Sequence, residues 1–141
     1  MIHNDRHNRA RLIAPEIAPY LHGDEGAPLS LPRCTICGRV QWPPRPSCVE
    51  CGGIRFSPYS AAPRGTLFSW TTTHRAPSPE YADLTPFTVV IVELDDHDGV
   101  RLLGRLAATG DVPSLRVGMR MHGARERDAR ERSLLTWRID D

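Results

Sequence analysis

The sequence predicts a mostly β fold in three parts: an N-terminal tail with a short helix (residues 1–28), a small ribbon stapled by four cysteines (29–62) and a five-stranded OB-fold barrel (63–141). Three observations predict it. Thirteen prolines and eleven glycines in 141 residues require many turns and short elements. All four cysteines fall in two Cys-x-x-Cys-Gly knuckles, Cys34-Thr35-Ile36-Cys37-Gly38 and Cys48-Val49-Glu50-Cys51-Gly52. Beyond residue 63, five runs rich in β-branched, aliphatic and aromatic residues alternate with turn signals.

The N-terminal residues 1–12 are polar and charged, as a tail is. His3 and His7 stand four apart, the spacing of two ligands on a helix, but no third ligand lies near and a frayed tail is the plainer reading. Pro15 to His22 allows a short helix, limited by Pro19 and ended by Gly23. Its Ile17, Tyr20 and Leu21 share helical spacing, which suits either packing on its own domain or a partner surface.

The knuckles carry the strongest chemical signal. Two Cys-x-x-Cys pairs with ten residues between Cys37 and Cys48 match one tetrahedral Cys₄ metal site, with ligands Cys34, Cys37, Cys48 and Cys51. Such a site has no open position, which is the structural rather than the catalytic pattern. The glycine after each knuckle can take a left-handed turn closed to other residues. Zinc is the favoured ion, with iron the competitor because rubredoxins hold it in a similar Cys₄ site. Paired disulfides fit less well, because the start Met1-Ile2-His3-Asn4-Asp5-Arg6-His7 leads into no hydrophobic segment and so does not read as an export signal. A structural zinc contributes about 10–16 kcal/mol of apparent binding energy, in a segment too short to make a core of its own. Val40-Gln41-Trp42 and the run with Ile54, Phe56 and Tyr59 read as short strands, giving a ribbon of three, and Trp42 covers the metal site or the ribbon's thin core.

The barrel strands follow in order. Gly65 to His74 alternates threonine with aromatics; period two puts Phe68 and Trp70 on one face and Leu67, Ser69, Thr71 and Thr73 on the other. Arg75 to Thr85 is a proline-marked loop, long for a compact β domain. Pro86 to Leu94 is almost wholly apolar, as a strand buried on both faces would be. Asp95-Asp96-His97-Asp98-Gly99 turns the chain into Val100–Leu106, where Gly104 suggests a bulge or sharp bend. Asp111 to Leu115 is a turn or one helical turn. Val117 to His122 makes a fourth strand with Met119 and Met121 inward, and Leu134 to Ile139 the fifth. Between them, Arg125 to Arg132 alternates charge, which suits a helix or a solvated hairpin tip. Five short strands in about 75 residues suit a small Greek-key barrel such as an OB-fold.

Composition excludes several function classes. Net charge is +1 and pI about 7.8, so bulk electrostatics give no case for nucleic acid. No apolar run reaches the ~18 residues that span a bilayer. A soluble cytoplasmic protein with no membrane and no nucleic-acid partner is the expectation. All 18 basic residues are arginine, so every cationic site is a planar fork suited to phosphate or carboxylate.

The order of these motifs carries a resemblance. Cys34 to Gly52 with its internal Trp42-Pro43-Pro44-Arg45, then Gly65 to His74, Pro86 to Leu94, Leu102-Leu103-Gly104 and Val117-Gly118-Met119 together resemble the rubredoxin-like zinc ribbon plus OB-fold family of acyl-CoA-associated proteins, domain of unknown function 35. The resemblance covers roughly residues 15–141. It implies a non-catalytic accessory or scaffold subunit of a hetero-oligomer, working beside a thiolase-fold enzyme (a thiolase, a lipid-transfer-type aldolase or an acyltransferase), with a hydratase as a further partner and acyl-CoA as the molecule handled. Branches of the family serve steroid side-chain degradation and other acyl-CoA, lipid or polyketide chemistry. The break of the helical region by Pro15 and Pro19 departs from the longer helix such proteins imply, and the sequence carries no hydratase domain. Only the four cysteines transfer residue by residue.

An acyl-CoA ligand needs arginine forks for phosphates and an apolar slot for the chain. Arg64, Trp70, His74, Arg75 and Tyr81 are the candidates for a ligand or partner surface, although Trp70 reads more readily as core and His74, Arg64 and Arg75 as ordinary strand-end or solvated residues. An enzyme in its own right is the competing class. Every cysteine is committed to metal, Ser69 and Ser78 lack a nucleophile motif, and Asp95, Asp96, His97 and Asp98 are turn formers first, so no catalytic residue is assigned. The alternative is a nucleic-acid-binding zinc-ribbon and OB protein, which wants a basic groove with exposed aromatics; Phe68, Trp70 and Phe87 are the aromatics available.

Overall fold

The computed structural model describes residues 25–107, 114–127 and 133–140. The expected N-terminal helix, Asp111–Pro113 and the centre of the alternating-charge run lie outside the described residues. The ribbon has two strands, β1 (Leu29–Cys34) and β2 (Phe56–Ala61), paired antiparallel from Leu29 opposite Ala61 to Cys34 opposite Phe56. The third strand expected at Val40–Trp42 is reduced to a single bridge between Arg33 and Val40. Pro43, Pro44 and Pro46 follow it at once and have no N–H with which to extend a ladder.

The barrel consists of β3 (Arg64–Thr73), β4 (Phe87–Leu94), β5 (Arg101–Leu106), β6 (Arg120–Arg127) and β7 (Ser133–Ile139), with a 3₁₀ helix at Pro79–Leu84. All five strands expected from the sequence are present. They close in the order β3-β4-β5-β7-β6, antiparallel throughout except for a two-pair parallel contact of β5 with β7, which is the connectivity of an OB-fold. The fourth strand begins later than expected: Val117 and Gly118 form a turn, with Gly118 at φ +89, and β6 instead runs on through Arg125–Arg127 as one arm of a hairpin with β7. Met121 is enclosed and Met119 half-buried.

Two expectations about β3 fail. The register with β4 shifts between Leu67 and Ser69, so Phe68 is an extra residue and the faces exchange there. Leu67 lies opposite Val92, but beyond the bulge it is Trp70 and Thr72, not Ser69 and Thr71, that share a side with the buried Val90 and Thr88. Trp70 is nevertheless 39% exposed and not a core residue. β4 is fully buried on one face and half-buried on the other, not buried on both.

Trp137 fills the barrel. It is wholly enclosed and lies between two glycines. A Cβ on Gly104 would fall 2.6 Å from its Cδ1, and one on Gly123 would fall 2.9 Å from its Cε3. Gly104 therefore makes room for an indole; the β4–β5 register past it is unbroken, and the expected bulge is absent. Leu29, Leu31, Val40 and Ala61 of the ribbon join Leu67, Val90, Val92, Met121 and Trp137 in one apolar cluster, with Trp42 packed on it. The ribbon thus borrows the barrel's core, as its size requires. Outside, Arg120 donates two hydrogen bonds to Asp95, at 2.7 and 2.6 Å, and His122 Nδ1 bonds to Asp140.

Candidate metal centre and apolar groove

The two knuckles are built alike. In each, the glycine N–H donates to the carbonyl of the first cysteine (Gly38 to Cys34 at 3.0 Å, Gly52 to Cys48 at 2.9 Å), and that cysteine's own N–H donates to a carbonyl five residues on (Arg39 at 2.9 Å, Gly53 at 2.7 Å). Closing so tight a turn puts Gly38 at φ +77 and Gly52 at φ +75, the left-handed conformation for which glycine carries no steric cost. The knuckles meet through Thr35, whose N–H donates to the Arg55 carbonyl at 3.0 Å. Gly53 is equally constrained: a Cβ there would lie 3.3 Å from the sulfurs of both Cys34 and Cys51.

The four sulfurs lie within 4.8 Å of one another, with Cys34–Cys51 and Cys37–Cys48 each at 3.6 Å. A tetrahedron with metal–sulfur bonds of about 2.3 Å has edges of about 3.8 Å, so the donor set fits an ion of that size. These separations are far longer than a disulfide bond. Among the described residues it is the only group of three or more His, Cys, Asp or Glu donors so placed. Backbone amides prepare the charge. The N–H groups of Cys37 and then Ile36 hold the Cys34 thiol down at about 6, and those of Cys51 and then Glu50 lower Cys48. For Cys37 the Arg39 amide favours the thiolate, but burial and the neighbouring sulfurs of Cys48, Cys51 and Cys34 push it up to about 12. Four thiolates repel one another unless a cation sits between them, which is why metal binding and proton release are linked.

Gln41 is a supporting residue the sequence gave no reason to single out. It is buried, its Nε2 donates to the Ser47 carbonyl at 3.3 Å and its Oε1 accepts from the Val49 N–H at 3.1 Å, fixing the entry to the second knuckle from the strand side of the first. A lone glutamine between Val40 and Trp42 has no periodicity or motif that marks it.

The other candidate residues do not converge. Arg64 begins β3, exposed and 3.7 Å from Asp140. Thr73 ends the strand nine residues later, about 30 Å away at ~3.3 Å per residue, and His74 and Arg75 follow there, both exposed. Tyr81 sits in the 3₁₀ helix with its ring 6.5 Å from that of Phe87. His97 of the Asp95–Gly99 turn packs edge-on against Tyr59 at 5.2 Å, tying the barrel hairpin to the ribbon. Phe68, extruded by the bulge, carries the Arg101 guanidinium 3.7 Å over its ring.

Sequence reading missed an open groove of about 370 Å³ between the 3₁₀ helix and strands β4, β5 and β7. Tyr81, Leu84, Phe87, Val89, Leu103 and Arg105 line it, and Leu134 and Leu135 close one side. It is invisible in the sequence because its walls come from four separate elements and are the outward halves of strands read for their inward ones. No helix among the described residues is long and apolar enough to cross a membrane.

Comparison with known proteins agrees with this architecture. The family described as "ChsH2, rubredoxin-like zinc ribbon domain" matches residues 29–55, and "ChsH2, C-terminal OB-fold domain" matches residues 59–125. A probable enoyl-CoA hydratase alpha subunit of Thermomonospora curvata is 33% identical over 92 residues, which are 64% of this chain and 27% of that protein. A DUF35 domain-containing scaffold protein of Methanocaldococcus jannaschii is 28% identical over 75 residues, 52% of this chain and 51% of that one. The chain therefore spans about a quarter and about half of these two relatives. Among solved structures, the Ltp2-ChsH2(DUF35) aldolase superposes with a TM-score of 0.73 at 27% identity, covering 90% of this chain and 96% of that one. The order of ribbon and barrel, the two matched regions and the structural likeness over 90% of the chain agree: the chain belongs to the DUF35 family of proteins with a rubredoxin-like zinc ribbon and an OB-fold.

Proposed function

We propose that the chain is a non-catalytic accessory or scaffold subunit that docks on a thiolase-fold acyl-CoA enzyme and helps handle its acyl-CoA substrate. The observation that carries this reading is the likeness to a chain of the Ltp2-ChsH2(DUF35) aldolase over 90% of the present chain. In this reading Cys34, Cys37, Cys48 and Cys51 hold one zinc ion, which supplies folding energy and no open coordination position. The ribbon (29–62) and the barrel (63–141) then present a single rigid surface, because they share a core. The docking face is the end of β3 that carries the exposed Trp70, with His74, Arg75 and the following loop; Arg64 lies at the other end. The chemistry also argues for a helper. All four cysteines are gathered in one cluster, and the Ser78 hydroxyl is turned to Glu80 at 3.4 Å. The pathway class is steroid side-chain, fatty-acid or polyketide metabolism, in the cytoplasm, with an enoyl-CoA hydratase as a further partner.

The test is affinity capture of the tagged full chain from its native host, with mass spectrometry of what elutes. A thiolase-fold enzyme at near-stoichiometric yield is the expected result. Capture with no acyl-CoA enzyme at any salt concentration contradicts the reading.

A further inference from the structure

We propose that the groove between the 3₁₀ helix and strands β4, β5 and β7 seats an apolar acyl chain whose oxygen-bearing head is received by Arg105. The inference deepens the acyl-CoA reading above and rests on it only for the source of the ligand. Three observations carry it. First, the groove is preformed. The 3₁₀ helix meets β4 through the Tyr81–Phe87 ring contact at 6.5 Å, and its own turns are closed by the Tyr81 N–H donating to the Ser78 carbonyl at 3.0 Å and by Thr85 Oγ1 donating to the Ala82 carbonyl at 3.0 Å. The β5–β7 ladder is only two pairs long, at Arg105–Thr136 and Leu106–Trp137, so Leu103 and Leu134 flank an opening instead of closing it.

Second, the walls are apolar where the outer face of a small barrel would ordinarily be polar. Leu103 is 64% exposed and Leu84 37% exposed, while Phe87 and Val89 are the half-buried side of β4. Exposed apolar surface gathered into a concavity is the usual mark of a ligand site. Its volume of about 370 Å³ has room for roughly a dozen water-sized groups at ~30 Å³ each, which corresponds to a medium-length chain.

Third, the polarity is one-sided. Arg105 is the one charged residue among the described residues lining the groove, and no carboxylate joins it. A guanidinium fork at the rim of an apolar slot selects a carboxylate or a thioester carbonyl with its nearby phosphates and disfavours a cation.

The test is titration of the full chain with sodium decanoate below its micelle concentration, followed by amide chemical shifts, with decylamine, decanoyl-CoA and CoA alone as companions. The expected result is saturable one-to-one binding of decanoate with a dissociation constant on the order of 0.1–1 mM and shifts confined to Val89, Leu103, Arg105 and Leu135. Leu103→Asp, at a solvent-facing position and checked for retained fold by circular dichroism, weakens binding at least tenfold. Arg105→Gln weakens decanoate roughly tenfold and does not weaken decylamine. Decanoyl-CoA giving the same shifts, with CoA alone giving none, assigns the ligand as a thioester. Decanoate binding without decanoyl-CoA binding leaves the groove standing as a free-acid site and removes the acyl-CoA reading. Absence of saturable decanoate binding, indifference to both substitutions, or groove shifts produced only by a captured partner protein overturns the proposal, with partner capture itself untouched.

Discussion

Replacing Gly104 with alanine tests how the barrel core is built. A Cβ at this position falls 2.6 Å from the Leu135 carbonyl oxygen and 2.6 and 2.7 Å from Cδ1 and Nε1 of Trp137. Contacts below 3.0 Å force something to move, and here neither wall gives easily. The carbonyl belongs to β7, next to its parallel contact with β5, and the indole is enclosed on all sides. Overpacking of a filled core costs about 1–3 kcal/mol, and two fixed walls place this case at the upper end, about 2–3 kcal/mol. At roughly 3–4 °C per kcal/mol for a chain of this length, the midpoint should fall by about 10 °C. Thermal and urea denaturation followed by far-ultraviolet circular dichroism reads this directly. Trp137→Leu alone should also destabilise, by about 2–4 kcal/mol through the cavity it leaves. In the Gly104→Ala, Trp137→Leu double variant the alanine penalty should shrink by about 1 kcal/mol or more, because one of its two obstacles is gone. A neutral or stabilising Gly104→Ala, as expected of a glycine merely weakening a strand by about 0.5–1 kcal/mol, refutes the indole-slot explanation. So does additivity of the two substitutions to within ~0.5 kcal/mol.

Cys48→Ser should reduce bound metal from one equivalent per chain to a small fraction, by mass spectrometry of digested protein, and lower the melting midpoint of the whole chain, because the ribbon's Leu29, Leu31, Val40 and Ala61 lie in the barrel's own cluster; two independent transitions, with the barrel's unchanged, would contradict that shared core. Acid unfolding should report on Asp95. Hydrogen bonds from Arg120 hold its carboxyl below the ordinary 3.8, so the pair's stabilisation is complete above pH 3.8 and is lost as pH falls through the lowered folded value. Asp95→Asn should therefore flatten the acid limb below about pH 4, while costing less than about 1 kcal/mol at pH 7 because the pair is exposed; an unchanged limb in urea titrations across pH 2–5 would remove this role.

The sequence showed much of the fold because its signals are local. Glycine after each Cys-x-x-Cys, and five apolar runs punctuated by turns, are properties of short windows, and the structure places a left-handed glycine at both knuckles and a strand in every run. What it concealed depends on partners distant in sequence. The bulge at Phe68 inserts one residue into an unbroken alternation, so the period continues to look regular while the faces exchange, and only the pairing with Ile91 and Val92 reveals it. Gly104 looked like a bend because the residue that needs its space, Trp137, lies 33 positions later. The cysteine cluster was legible as a set, and its supports at Gln41 and Gly53 were not, since neither belongs to a spacing rule. Arg64 and Tyr81 read from the sequence as one surface at the barrel mouth and the long loop, but Arg64 begins β3 and Tyr81 lies in the 3₁₀ helix beyond that strand's far end.

The most direct measurement compares acyl-CoA turnover by three purified samples: this chain alone, the captured thiolase-fold enzyme alone, and the two recombined. A helper subunit leaves the first at background and raises or enables the third relative to the second. Sustained thioester turnover by the chain alone, or a recombined rate equal to that of the enzyme by itself, would contradict the assignment.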